Sequence, residues 1–315
     1  MKRHLPPKGE VSAMMKFSPD NRSMLFTPAT SAEKFASAHR SGADVAVVDL
    51  EDAVAEAYKD SARKECRRFF TGRGAERGQA EALRINPLTT VHGLLDLLAL
   101  CEFDPKPDVI VVPKVEAPRD IEIVESILSS VSYAPDLAAI LETPKGLERA
   151  SDIAQSSPRM RALVFGSADY SFAIGASRDW ASLYAARARI VNTAYCAGID
   201  CVDAPVFDYH DVETLAHESV LDRNMGFSGK AAIHPSQVPL INERFSPDPE
   251  TIELARQIVA ASEANSGNAT SVGGMMIGRP FVSAAMALLR RYGSEPAEPM
   301  DTPEAIRADA QPTGK

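Results

Sequence analysis

Two apolar runs each hand over to a carboxylate: Leu137-Ala-Ala-Ile-Leu141 to Glu142, and Arg161-Ala-Leu-Val-Phe165 to Asp169. Acids at the C-terminal mouths of parallel strands stand where α/β barrels place their chemistry. Two such acids suit a magnesium ion, which takes one or two protein carboxylates and fills its other positions with water or substrate oxygens. A plainer reading is open on pattern alone: Glu142 as a helix N-terminal acid before Thr143-Pro144, and Asp169 as a turn or cap residue. Other run ends carry Asp49, Glu51 and Asp52, Arg84 and Asn86, Lys114, Asp203 and His234. Any one of these could be half of a buried ion pair. Seven polar strand ends in an otherwise apolar sheet are harder to attribute to packing, because each is costly to bury. Arg84 offers a planar fork that clamps a carboxylate. Acids for a cation beside an arginine for an anion describe a site that a carboxylate or 2-keto acid substrate would bridge. Asp49, Glu51 and Asp52 are candidates for orienting Arg84 or a lysine.

The elements that must position these groups are short and continuously apolar. Strands are expected at about 22–27, 45–50, 82–85, 108–112, 137–141, 161–165, 200–202 and 230–233. Between them, helical stretches fall near 30–40, 58–70, 89–101, 118–129, from 146, 180–197 and 211–223. Strands without polar alternation are buried on both faces, as in a parallel sheet. Eight alternating units predict an α/β fold, a closed (β/α)8 TIM barrel, with an open doubly wound sheet as the alternative. The expected organisation is an N-terminal arm at 1–20, the barrel at 21–247, a C-terminal helical extension or lid at 248–292 and a disordered tail at 293–315. Gly273-Gly274 reads as a hinge in the extension. The glycine-rich loop at 71–78 follows a helix and lacks GxGxxG, so it is not read as a phosphate cradle.

Composition narrows the function. The 315 residues are 45% hydrophobic and 24% charged, ordinary for a soluble enzyme, and the formal charge is −9. That balance argues against a nucleic-acid partner, which needs a basic face, and no run is long enough to span a membrane. Cys66, Cys101, Cys196 and Cys201 lie far apart without zinc-type spacing and read as reduced packing residues of a cytoplasmic protein. No signal peptide is evident.

Successive segments also resemble one family. They are Arg22-Ser-Met-Leu-Phe-Thr-Pro28, Asp49-Leu-Glu-Asp-Ala-Val54, Arg84-Ile-Asn-Pro87, Val112-Pro-Lys-Val-Glu116, Leu141-Glu-Thr143, Phe165-Gly-Ser-Ala-Asp169, Tyr184-Ala-Ala-Arg-Ala-Arg189 and Ala232-Ile-His-Pro-Ser-Gln237. In order and spacing, over about residues 21–290, they resemble the citrate lyase β-subunit-like proteins, with malyl-CoA and citramalyl-CoA lyases, in the HpcH/HpaI aldolase group. The resemblance implies a Mg2+-dependent carbon–carbon lyase that splits a β-hydroxyacyl thioester (citryl-, malyl- or citramalyl-CoA-like) into an acyl thioester and a 2-keto acid. It implies Glu142 and Asp169 as metal ligands and, with Arg84, as the catalytic set. Arg84 would grip the keto acid, with Arg22, Lys114 and Asp52 also in substrate binding and Lys59 on a motif position that orients acids or CoA phosphates. It implies a homotrimer or hexamer with the C-terminal segment over a neighbour's site. The alternatives are an aldolase on free 2-keto-3-hydroxy acids and a carrier-protein-dependent lyase subunit. One departure stands out: the family's Met-Ile-Asp near the C-terminus, whose aspartate is assigned acid–base work, reads Met-Ile-Gly278 here.

Overall fold

A computed structural model describes residues 21–70, 78–265 and 269–292. The expected arm at 1–20, most of the glycine-rich loop and the tail lie outside the described residues. The chain divides into two compact units, through Ser246 and from Pro247.

The first unit is a closed barrel of eight parallel strands, paired in chain order with β8 returning to β1. The strands are β1 (Ser23–Pro28), β2 (Val45–Asp49), β3 (Ala80–Arg84), β4 (Val109–Val112), β5 (Asp136–Leu141), β6 (Met160–Phe165), β7 (Asp200–Asp203) and β8 (Gly229–Ala232). Alternation explains why they read as unbroken apolar runs. Val45 and Val47, Ala80 and Ala82, Val109 and Val111, Ala138 and Ile140, Ala162 and Val164 pack together as one cluster filling the barrel. The residues between them, such as Ala46, Val48, Leu83, Ile110, Ala139 and Leu163, belong to a second cluster with the surrounding helices. Both faces of each strand are therefore desolvated. Continuing the inward rows one step puts Asp49, Arg84, Glu142 and Gly166 at the C-terminal mouth.

The helices of this unit are α1 (Ala32–Arg40), α2 (Lys59–Glu65), α3 (Val91–Glu102), α4 (Pro118–Ser130), α5 (Pro144–Glu148), α6 (Ala150–Ala154), α7 (Ser167–Ile174), α8 (Tyr184–Ala197), α9 (Val212–Met225) and α10 (Val238–Phe245). Two differ from expectation. The first is α7, which the sequence reading did not contain. Phe172 is 88% exposed on it, and Ile174 is exposed too, so it shows no apolar stripe. The second is α8, which begins at Tyr184 and not at Trp180, because the Trp180 Nε1 donates to Asp222 Oδ1 at 2.7 Å, drawing the indole onto α9.

The second unit holds α11 (Pro249–Ala264), the antiparallel strands β9 (Thr270–Val272) and β10 (Met275–Ile277), and α12 (Arg279–Tyr292). Ala255, Ile258, Ile277 and Ala285 form its buried core. Gly273-Gly274 is not a hinge between helices. Both residues have positive φ, 58° and 81°, and they make the two-residue turn joining β9 to β10, the geometry that matches strand twist. No described helix is long and apolar enough to cross a membrane.

Candidate active site

The barrel mouth opens into a cavity of about 340 Å³. Phe26, Pro28, Ile140, Val164, Pro205, Phe207 and Ile233 give it apolar walls; Asp49, Asp52, Arg84, Glu142 and Asp169 give it charge. Asp49 and Arg84 are register partners on β2 and β3. Arg84 Nε donates to Asp49 Oδ1 at 2.7 Å and Nη2 to Oδ2 at 2.5 Å, the bidentate fork. Its Nη1 lies 2.9 Å from Glu51 Oε2, an ion pair without hydrogen-bond alignment, and its guanidinium stacks 5.1 Å from the Phe26 ring centroid. Burial alone would weaken this cation, but Asp49 first and then Glu51 and Asp52 hold it charged. N–H groups on its terminal nitrogens are left for a ligand in the cavity.

Glu142 follows β5 directly, and Thr143 caps α5 by accepting from Gly146 N–H. The acid is buried, at 4% exposure. Its Oε1 accepts the Lys114 backbone N–H at 2.7 Å, and its Oε2 rests against Gly166, where an added Cβ would come within 2.6 Å. The close approach explains the glycine after β6. Burial pushes the Glu142 carboxyl up to about 8, with Glu51 and Asp169 adding to it and Lys114 opposing. Asp169 is not at a strand end. It sits in the first turn of α7, where the helix dipole favours a negative charge, and is half-exposed. Lys114, just past β4, has φ +50°, a left-handed conformation that costs a lysine free energy. Its Nζ lies 2.6 Å from Glu51 Oε1, 3.2 Å from Asp169 Oδ2 and 3.8 Å from Asp52 Oδ1. Burial also pushes the Glu51 carboxyl up, against the pull of Arg84.

The remaining sequence candidates go elsewhere. Arg22 precedes β1, so it lies at the opposite end of the barrel, pairing Asp44 through Nε at 2.9 Å and Ser246 through Nη1 at 2.8 Å. It does not take part in substrate binding at this mouth. Lys59 is buried, and its Nζ donates to the Leu50 and Glu51 carbonyls and to Asn86 Oδ1, fixing the loop after β2 with no face for a phosphate. Asn86 in turn donates to Asp96 Oδ2 on α3. Asp203 points outward, because Val202 takes the inward position on β7; it joins a buried network with Arg187 and Lys230. His234 is exposed and caps the turn at Pro235–Gln237. The apolar walls formed by Phe26, Pro205, Phe207 and Ile233 were missed. Their sequence signal is only that they sit on inward rows or immediately past strand ends.

Among the described residues no group of three or more His, Cys, Asp or Glu could hold a metal ion. Two carboxylates remain enough for magnesium. The electrostatics fit a divalent ion: Asp49, Glu51, Asp52, Glu142 and Asp169 face Arg84, Lys114 and Lys59, which leaves the mouth negative. The buried Glu142, whose carboxyl is raised by burial and by like charges, is the group that a cation would relieve.

Comparisons place this chain among known proteins. The family model of HpcH/HpaI aldolase/citrate lyase matches residues 22–235. The citrate lyase subunit beta of Haemophilus influenzae is 30% identical over 285 residues, 87% of this chain and 97% of its own length. A (3S)-malyl-CoA thioesterase of Cereibacter sphaeroides is 35% identical over 249 residues, 77% of this chain and 84% of its own. A crystal structure of CitE from Mycobacterium tuberculosis in complex with magnesium, acetoacetate and coenzyme A superposes with a TM-score of 0.73 at 31% identity, covering 87% of this chain and 99% of that one. The match spans most of the barrel, from the residue before β1 to the turn after β8, and the chain belongs to the HpcH/HpaI aldolase/citrate lyase family, as an enzyme of the carbon–carbon lyase type.

Proposed function

We propose that this chain is a Mg2+-dependent lyase that splits a β-hydroxyacyl-CoA thioester bearing a second carboxylate into an acyl thioester and a 2-keto acid, working as a homotrimer or hexamer. The observation that carries the reading is a single cavity in which Arg84 faces two carboxylates, Glu142 and Asp169, between apolar walls. Glu142 and Asp169 would hold the ion, which when bound supplies Lewis acidity and a template for the keto acid's oxygens. Arg84 holds the keto acid's carboxylate, already oriented by Asp49 and Glu51. Asp52 and Lys114 stand at the rim. The walls at Ile140, Val164 and Phe207 exclude water from the acyl carbon. Support also comes from the names of the relatives, which include a citrate lyase subunit and a malyl-CoA thioesterase.

Calorimetric titration with oxaloacetate, pyruvate and glyoxylate in the presence of Mg2+ tests the binding half. Arg84→Lys replaces the fork with a point charge and abandons half of the Asp49 pairing. It should weaken the preferred keto acid by about 1.5–3 kcal/mol. Unchanged binding of all three acids would remove Arg84 from the substrate.

Gly278 tests the departure from the family pattern. It stands where the resemblance implies an acid–base aspartate, and a Cβ there meets only Pro280 Cδ, at 3.9 Å, so the backbone admits a side chain. A positioned acid or base is worth about 10²–10⁴ in rate. Gly278→Asp, assayed with acetyl-CoA and glyoxylate or pyruvate, should gain at least about tenfold in condensation and thioester hydrolysis over the parent. A parent already as fast would mean that another residue handles the proton.

A further inference from the structure

Among the described residues, Lys114 partners both proposed metal ligands. The Lys114 N–H donates to the Glu142 carboxylate at 2.7 Å, and the Lys114 ammonium pairs with Asp169 at 3.2 Å. The left-handed backbone at Lys114 makes the double contact possible. It turns the N–H toward β5 and the side chain toward Glu51 and α7. A lysine holds such a conformation only where its surroundings impose it. The ammonium also has somewhere to go. Its Nζ already lies 2.6 Å from Glu51 Oε1 and 3.8 Å from Asp52 Oδ1, so the Asp169 contact can break without sending the cation into solvent.

We propose that Lys114 is a resident counter-cation of the acidic mouth: it neutralises Asp169 until a divalent ion takes that carboxylate, then withdraws to Glu51 and Asp52, and by competing it sets the threshold for metal binding. This rests on the metal site proposed above. A cation a few ångströms from a divalent ion repels it strongly even at an effective dielectric of about 20. Removing the charge therefore tightens metal binding, whereas removing a residue that merely braces the ligands loosens it.

The test uses Mn2+ as probe, titrated into the full chain and followed by electron paramagnetic resonance and calorimetry. Lys114→Met should bind Mn2+ at least about tenfold more tightly than the parent, with a larger metal-induced rise in Tm. Lys114→Arg keeps the charge and should keep the parent's affinity. Lys114→Gly keeps the N–H to Glu142 and relaxes the backbone; should the methionine variant not fold, the glycine variant carries the same expected tightening. Affinity equal to or weaker than the parent's in a folded Met or Gly variant would overturn the counter-cation role and leave the metal site standing. A parent that binds no Mn2+ would overturn both.

Discussion

Glu142→Gln is expected to abolish measurable divalent-cation binding and to reduce turnover on the order of 10³–10⁴-fold, with the fold retained. The size follows from losing an anionic ligand, because the Lewis acidity of a bound ion is worth several kcal/mol in the transition state. The fold should survive because glutamine keeps the shape and retains an oxygen to accept the Lys114 N–H, now at 2.7 Å from Oε1. Burying a neutral amide beside Gly166 is also easier than burying a carboxylate that its surroundings already push toward protonation. Asp169→Asn should follow in the same direction. Calorimetry with Mg2+ and circular dichroism on both variants decide the matter; parent-like affinity in both would remove these acids from the metal.

The largest expected loss of stability lies outside the cavity. Lys230 on β8 is fully buried, with its Nζ 3.1 Å from Asp203 Oδ2, 2.8 Å from Asp222 Oδ2 and 3.2 Å from Glu218 Oε2. Arg187 shares Asp203 at 2.9 Å and lies over the Phe165 and Trp180 rings. The network ties β7 and β8 to α8 and α9. Burial raises the Asp222 carboxyl against the pull of Lys230, and without the ammonium only the Trp180 N–H at 2.7 Å would be left to offset its desolvation. Lys230→Met keeps the length and removes the charge. It should cost about 3–5 kcal/mol, the penalty for leaving buried charges unpaired, read as a lower urea midpoint at unchanged slope. An unchanged midpoint would mean that Asp203 and Asp222 find other partners.

The barrel was legible because most of the strands, β2 and β4 to β6 above all, are near-continuous apolar runs, a property of the run itself that needs no partner to be seen. The inward rows were not legible: Val45, Val47 and Asp49 alternate inward along β2, and Ala80, Ala82 and Arg84 along β3, but the residues between them are mostly apolar too, so the run does not show which face turns in. Asp203 shows the limit. β7 has four residues, and only pairing with its neighbours decides that Val202 faces in and Asp203 out. The charge at its end therefore looks like Glu142 in the sequence and serves α8 instead. Arg22 was a different error. A residue that precedes a parallel strand enters the barrel at the end away from the mouth, and chain order alone implies this. Helix α7 was hidden because its exposed face carries Phe172 and Ile174, so Asp169 was read as a strand end when it belongs to a helix start. The ion pairs of Lys114 lie beyond sequence reading altogether, since they depend on a left-handed backbone at a residue whose type does not announce one.

The most direct test of the central claim is a product balance. The purified chain is incubated with citryl-, malyl- and citramalyl-CoA, with and without Mg2+, and keto acid, acyl-CoA and free thiol are quantified together. The account predicts, for at least one substrate, equal amounts of keto acid and acyl-CoA, no matching free thiol, and no reaction after chelation. Free thiol without keto acid for every substrate, or cleavage that persists without a divalent ion, would contradict it.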